Sequence, residues 1–274
     1  MSVSENAGAG LLQLVERDLQ RGTSDLPQLP RGAAEALRLA RSADFDVDAA
    51  ATLAENDPPL AARVLAVANS VLYARGARHV SPRRAVAHIG AAALREVLYQ
   101  TAYASMIVDV PRFAKAVAND FVHSVATAAL ARALARVAPA DPDEAFLAGL
   151  LHDLGRARCW SLVAKRLPST GSDDAEALEV VDALHAAAGH ALVQKWQLPE
   201  AIAEVCLHHH APEGRKLPAI IAAADILVHA ADGTADPRSP VAALEAIGID
   251  GNLTGEWLER GVKEVERARL MTKG

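Results

Sequence analysis

Residues 57–70 read DPPLAARVLAVANS. Asp57 is a helix-capping residue and Pro58 suits a first helical turn, with Leu60, Val64, Leu65 and Val67 following on one face. The same grammar continues toward the N-terminus. Asp46 or Asp48 caps a helix through Leu53, Leu37 and Ala40 fall at helical spacing behind Pro30, and Leu11, Leu12 and Leu14 begin a helix that stops near Arg21-Gly22. Toward the C-terminus the loop ARGARHVSPRR leads to Pro82, which opens a helix carrying Ala85, Val86 and Ile89 and halted by Gly90, and Ala91 to Val108 form one more. Pro111 marks a seam. Beyond it lie a long helix from Phe113 to Val137, a helix behind Asp141-Pro142 that ends at His152-Asp153 with Gly155 as its stop, the polar loop KRLPSTGSDDAE, and a helix with His185 and Gly189 that ends before WQLPE. Helices near Pro199 and Pro218, the turn-rich ADGTADPRSP and a helix from Leu253 to Leu270 complete the pattern.

Composition agrees with this reading. The chain has 274 residues, 51% hydrophobic and 23% charged, which is ample for one large domain or two smaller ones. About a fifth of its positions are alanine and only 4% are aromatic. Alanine is the best helix former and a poor strand former, so the expected fold class is all-α, and sandwiches, barrels and β-rich enzymes are excluded. A net charge of −6, mixed in sign, excludes a generally basic nucleic-acid binder and an acidic disordered tail. Cys159 and Cys206 are isolated, which excludes a disulfide scaffold and a cysteine zinc site and suits a reducing cytosol. MSVSENAGAG lacks the pattern of a signal peptide. The longest apolar stretch, Ile220 to Val228, is broken by Asp225 and falls short of the ~18 residues of a membrane span. A cytoplasmic protein is expected, with residues 1–20 as an N-terminal extension, 21–111 as one helical subdomain, and 112–274 as a second with a C-terminal helix.

The chemistry lies in the histidines, ten in all and concentrated in the second half. His152-Asp153 closes the apolar run AFLAGLL, where the end of a helix does not favour an aspartate. Asp225 sits in IIAAADILV with apolar residues on every side. Such a carboxylate is protonated, hydrogen-bonded to a partner, or bound to a cation. His123 shares a helix face with Thr127 and Leu130. His185 lies one turn before Gly189, whose missing side chain leaves space above the imidazole. Successive helical residues point ~100° apart, so at most two of His208, His209 and His210 face one site. Each taken alone reads as a core or surface residue. Together, on different helices, they offer five imidazoles and two carboxylates, a donor set suited to Fe, Mn, Zn, Co or Ni and larger than one ion requires. Two ions sharing Asp153 as a bridging carboxylate is the economical reading, and in such sites water ionises near neutrality while the ions clamp phosphate oxygens.

The order of these residues also carries a family resemblance. HDLG at His152 to Gly155 resembles the HD superfamily of metal-dependent phosphohydrolases. LPQLP, NDPPLAARVLAVANSVLY and AVAHIG narrow the resemblance to HDOD domains, the HD-related output domains of bacterial signalling. FLAGLLHDLG, the HxxxG at His185-Gly189, KWQLP and the HH before APEG extend it, from about residue 20 to 232. The resemblance implies an N-terminal helical bundle packed on an HD-type bundle, a signalling or scaffold role, and a protein partner in a signalling pathway. Most HDOD domains resemble HD-GYP cyclic-dinucleotide phosphodiesterases in fold but have lost metal ligands. Set against the HD-GYP pattern, this sequence keeps His123, His152, Asp153, His185, His209, His210 and Asp225 at ligand positions. His209-His210 is preferred to His208-His209 because the pair directly precedes APEG.

The same comparison points to an alternative role as a phosphohydrolase on a nucleotide or cyclic dinucleotide, with Asp153 and Arg156 in the catalytic set. The GYP loop is absent, however, since APEGRKLPAI follows His210. Asn119 stands where some members carry a glutamate for a third metal, so two ions are expected and not three. Arg156 replaces a lysine and keeps the cation as a planar fork that could hold a phosphate. The basic stretch Arg75, Arg78, His79, Arg83, Arg84 has no interleaved aromatics and reads as a solvated loop, so neither nucleic acid nor membrane is expected as a partner. Asn69 and Ser70 read as polar cross-links between helices, and Trp196 and Leu198 as core.

Overall fold

The computed structural model describes residues 10–21, 28–70, 73–74, 79–106, 110–170, 173–234, 236 and 238–271. Every regular element among them is helical, so the fold class is all-α. The chain forms two compact units: Leu29–Met106 with Arg269–Gly274, and Met1–Gln28 with Ile107–Ala268.

Helix α1 spans Leu11–Arg21 and belongs to the second unit. The other unit holds α2 (Arg31–Arg41), α3 (Val47–Asn56), α4 (Pro58–Ala68) and α5 (Pro82–Met106). Asp46 caps α3 by accepting from the Ala49 amide at 2.8 Å, and Asp57 caps α4 by accepting from the Leu60 amide at 2.9 Å, each satisfying a first-turn donor that has no helical partner. The face that α4 buries is Leu60, Val64 and Ala68, spaced four apart, while Leu65 and Val67 stay half-buried. Gly90, at φ 80°, breaks α5 into two helical pieces in a conformation that a Cβ disfavours. The Tyr99 hydroxyl donates to the Ala40 carbonyl at 3.1 Å and ties α5 to α2. Asn69 bonds to the backbone of His79 and not to a second helix: its amide donates to the His79 carbonyl at 2.8 Å and its oxygen accepts from the His79 amide at 2.7 Å. Ser70 bonds locally, to the Val67 carbonyl.

The second unit continues with a 3₁₀ turn at Pro111–Phe113 and then α6 (Ala114–Ala135), α7 (Pro142–Leu151), α8 (Leu154–Thr170), α9 (Asp174–Lys195), α10 (Glu200–His208), α11 (Lys216–Asp232), α12 (Pro240–Ala246) and α13 (Thr254–Met271). Leu11 and Val15 of α1 join Phe113, Trp160, Val163 and Val181 in one apolar cluster, and Arg166 of α8 forks onto Asp18 at 2.6 and 2.7 Å. Burying that face is what fixes α1 on α8 and α9. Helix α8 runs to Thr170, so KRLPST is helical and not part of a polar loop.

Two glycines set the crossing of α8 and α9. A Cβ on Gly155 would overlap the His185 carbonyl oxygen and the Gly189 nitrogen, and one on Gly189 would stand 3.2 Å from the Gly155 nitrogen and 3.4 Å from Cys206 Sγ. Gly155 is therefore not a helix stop. It lies in the first turn of α8 and lets the two backbones touch. The room left at Gly189 is filled by that backbone and by Cys206, not by the His185 ring.

Candidate metal centre

Helix α7 ends at Leu151, and α8 begins three residues on, at Leu154. His152 and Asp153 occupy the turn between them, so Asp153 directly precedes the N-terminus of α8. The dipole there favours its negative charge, the reverse of the helix-end position expected from the apolar run. The Gly155–Gly189 contact then brings Asp153 against His185 of α9, with His185 Nε2 3.3 Å from Asp153 Oδ1. His209, at the end of α10, places Nε2 3.4 Å from the same oxygen, and His210 Nε2 lies 3.0 Å from His185 Nε2. On the other side, His152 Nε2 is 3.6 Å from Asp153 Oδ2 and 3.9 Å from Asp225 Oδ1 on α11, and His123 Nε2 on α6 is 3.0 Å from Asp225 Oδ1. All seven residues singled out by the sequence thus meet in one network, with Asp153 between a group of His185, His209 and His210 and a group of His123, His152 and Asp225.

The imidazoles are locked in one sense. Nδ1 of His152 donates to the Gly149 carbonyl at 2.8 Å, Nδ1 of His185 to the Asp182 carbonyl at 2.8 Å, and Nδ1 of His209 to the Val205 and Cys206 carbonyls at 3.1 Å. A carbonyl only accepts, so each proton sits on Nδ1 and each Nε2 turns a lone pair toward the carboxylates. His152 Nε2, His209 Nε2 and Asp153 Oδ1 are buried without a hydrogen-bond partner. Lone pairs facing a carboxylate at 3.3 to 3.6 Å repel unless something positive stands between them.

The ionisation of the groups follows from this geometry. Burial pushes His152 down to about 3 despite the nearby carboxylates, so its ring is neutral. Partial burial, then His209 and His185, push His210 down to about 4. Burial opposes a charge on Asp153, but His152, His185, His209 and Arg156 outweigh it and hold the carboxyl well below its usual range. The same contest at Asp225 goes the same way, through hydrogen bonds from His123 and His229. Burial also works against a proton on His209, yet the Asp153 carboxylate 3.4 Å away raises its affinity for one. A proton and a cation would therefore compete for that position.

Arg156 is already engaged. Its Nε donates to Asp120 at 2.9 Å and its Nη1 to Asp182 at 2.7 Å, with Asp153 3.9 Å away. Trp160 donates its indole N–H to the other Asp120 oxygen at 2.8 Å. Three further residues complete the site. His229 Nε2 lies 3.3 Å from Asp225 Oδ1, Arg238 Nη2 lies 2.6 Å from Asp225 Oδ2, and Asp236 holds Arg238 at 2.6 Å. His229 is four residues after Asp225 on the same helix face, a spacing visible in the sequence. Asp236 and Arg238 come from the turn-rich loop, where no period signals which side chain turns inward. The centre opens onto a cavity of about 790 Å³ lined by His123, Asp153, His185, His210, Asp225 and Arg238 among others.

Other candidates stand apart from the site. His208 faces Glu204 at 3.7 Å. Arg75 and Arg78 lie outside the described residues, and Arg83 forks onto Glu55 at 2.9 and 3.1 Å. Trp196 and Leu198 are half-buried at the end of α9 and are not core. Among the described residues, no helix is long and apolar enough to cross a membrane.

Buried imidazole and carboxylate donors, with acceptor atoms left unpartnered, fit a divalent transition metal, and these groups are capable of holding one. Known proteins agree with the fold. A solved structure of an HDOD domain protein of unknown function from Geobacter sulfurreducens aligns at TM-score 0.68 with 24% identity, covering 94% of this chain and 96% of that one. A proposed metal-dependent phosphohydrolase from Shewanella amazonensis SB2B aligns at 0.69 with 18% identity, covering 94% and 98%. An uncharacterized protein of Treponema pallidum (strain Nichols) is 28% identical over 222 residues, and the match covers 76% of this chain but only 43% of that longer protein. The HDOD domain model matches residues 26–212. With its helical order, its HD turn and more than half of its length matched by that model, the chain belongs to the HDOD family.

Proposed function

We propose that this chain is a regulatory HDOD module of bacterial signal transduction that carries a dinuclear transition-metal centre and acts mainly through binding a protein partner. The observation that carries the metal reading is the set of unpartnered buried atoms, His152 Nε2, His209 Nε2 and Asp153 Oδ1, facing one another while each ring proton is committed to a backbone carbonyl. A histidine that ligates a metal through one ring nitrogen commonly donates the other N–H to a backbone carbonyl in this way. Asp153, His185, His209 and His210 would hold one ion and His123, His152 and Asp225 the other, with Asp153, 3.6 Å from His152 Nε2, placed between the two groups. The partner-binding role rests on family membership and on the short connection from His210 to α11, where only residues 211–215 intervene.

The cavity favours a second reading, a metal-dependent phosphodiesterase acting on a nucleotide or cyclic dinucleotide. Its volume of about 790 Å³ suits such a ligand, and His123, Asp153, His185, His210 and Asp225 of the metal groups line it. Ions held there would supply Lewis acidity and acidify water. Asp153 would be one of their ligands, and Arg156, fixed between Asp120 and Asp182, keeps a positive charge beside it.

Elemental analysis of protein purified without added metal, then stripped and reconstituted with Mn²⁺, Fe²⁺ or Zn²⁺, tests the centre. Transition metal that is lost in Asp153→Ala is expected. No metal as purified and no uptake on reconstitution overturns the reading. Turnover of a generic phosphodiester that vanishes in Asp153→Ala moves the assignment to the enzyme, and metal without turnover across a nucleotide panel leaves the module.

A further inference from the structure

The two carboxylates of the centre are balanced differently. Asp153 Oδ1 is buried with no hydrogen-bond partner and faces the Nε2 atoms of His185 and His209. Asp225 is 2% exposed and has a charge-assisted bond already in place, because its Oδ2 accepts from Arg238 Nη2 at 2.6 Å. Its Oδ1 lies 3.0 Å from His123 Nε2 and 3.3 Å from His229 Nε2.

Arg238 is not a passing contact. Its backbone N–H and Nε donate to Asp236 Oδ1 at 2.8 and 3.0 Å, its Nη2 to Asp236 Oδ2 at 2.6 Å, and its Nη1 reaches the His209 carbonyl at 3.5 Å. Asp236 thus fixes the guanidinium against Asp225. A guanidinium keeps its charge at any working pH, and its planar fork satisfies two carboxylates at once. It is a unit positive charge within bonding distance of a carboxylate that a second ion would need.

Resting on the metal reading above, we infer that Arg238 is a built-in counter-cation for the Asp225 half of the centre, so that the two ions bind unequally. The first enters at Asp153, His185, His209 and His210, where Asp153 Oδ1 and His209 Nε2 lack a hydrogen-bond partner and the nearest guanidinium, Arg156, stands 3.9 Å from Asp153 and is bonded to Asp120 and Asp182 instead. The second binds at His123, His152 and Asp225 Oδ1 against Arg238: it meets a like charge seated on Oδ2 of the same carboxylate, which already neutralises part of the charge the ion would use. Asp236 holds Arg238 there, so the repulsion is built in. The loop that carries Arg238 and Asp236 thereby sets how many ions the centre holds at a given free metal concentration.

Equilibrium dialysis of the stripped full-length chain against graded free Zn²⁺ or Mn²⁺, with metal counted per chain, tests this on wild type, Arg238→Gln and Arg238→Met. Two uncharged replacements guard against one of them failing to fold, and the dissociation constant of the first ion reports that the centre is intact. Wild type is expected to fill in two separated steps. In the variants the second constant falls at least tenfold while the first stays within about threefold. Equal constants for both ions in wild type, or an unchanged second constant in the variants with the first preserved, overturn the role of Arg238 and leave the metal reading standing. No ion on any of the three chains overturns the metal reading and this inference with it.

Discussion

The two units differ in what they bury. In Leu29–Met106 the buried polar side chains among the described residues are the neutral Gln100 and Thr101, and the charged pairs, such as Arg38–Glu35 and Arg83–Glu55, lie on the surface. In the unit containing Ile107–Ala268, two carboxylates and three imidazoles are buried together at Asp153, Asp225, His152, His185 and His209. Apolar faces, caps and a turn clamp account for the first unit. They do not account for the second, since a buried carboxylate facing imidazole lone pairs costs stability that no packing argument returns. On the metal reading proposed above, the second unit is where stability is exchanged for a binding site, while the first is packed for stability alone.

Acid exposes the contrast most strongly. His152 has a folded pKa of about 3 against an ordinary 6.5, so between those values the unfolded chain holds a proton that the folded chain refuses. Stability from this group is whole above pH 6.5 and falls as the pH drops toward 3, by about 5 kcal/mol in total for the metal-free protein at ~1.4 kcal/mol per unit. Asp153 and Asp225, held below their usual range, lose their contribution in the same direction as acid protonates them. His209 and His229 are raised and act oppositely: their contribution is present below pH 6.5 and is lost as the pH rises through their folded pKa. Hydrogen exchange read by mass spectrometry from pH 7 to 4 should show α7 to α10 losing protection while α2 to α4 keep theirs, with the acid loss reduced in His152→Gln. Uniform loss across both units would erase the distinction.

Metal sharpens the comparison from the other side. An ion that binds only the folded state adds RT ln(1 + [L]/Kd), about 4 kcal/mol at a thousandfold excess over Kd. Reconstitution should raise exchange protection in α6 to α11 and leave α2 to α4 unchanged, and a chelator should reverse it. Equal protection in the two units, or none in either, breaks the comparison.

The sequence made these differences only partly readable. Helices were legible because proline, aspartate and glycine act locally: Asp57 caps α4, Gly90 breaks α5, and Asp141 accepts from the Asp143 and Glu144 amides at the start of α7. The seven candidate ligands could be gathered from the sequence because their order along the chain matches a family pattern, and the fold brings them into one network. Gly155 was misread because a glycine after a helical run signals a stop, while the α8–α9 crossing that needs it is a contact between residues thirty or more positions apart. Arg238 and Asp236 were missed for a related reason. They reach the centre from a loop, where burial is set by tertiary placement and no period announces it.

Glycine substitutions probe that crossing. A Cβ on Gly155 would overlap backbone atoms of His185 and Gly189, which have no rotamer by which to retreat. Gly155→Ala should therefore cost about 3 kcal/mol and displace Asp153 from His185, weakening metal uptake along with stability. Gly32 in α2 is the matched control. Its added Cβ would meet only Asp57 Oδ2, at 3.1 Å, the carboxylate oxygen that does not accept from the Leu60 amide, and alanine is the better helix former by up to ~1 kcal/mol. Thermal unfolding of Gly32→Ala should stay within about 1 kcal/mol of wild type, with metal uptake unchanged. A loss at Gly32 equal to that at Gly155 would mean that the close α8–α9 crossing is nothing special.

The smallest effect belongs to the helix cap of the scaffold unit. Asp57→Ala removes the acceptor for the Leu60 amide, and Leu60 anchors the buried line of α4. The loss should be about 1 kcal/mol, read in denaturant as a lower midpoint at constant m-value. Because α4 carries none of the metal-centre residues, the substitution should leave the metal count per chain at the wild-type value. A metal count that falls with Asp57→Ala would show that the two units do not divide their work, and that what α4 stabilises reaches the centre.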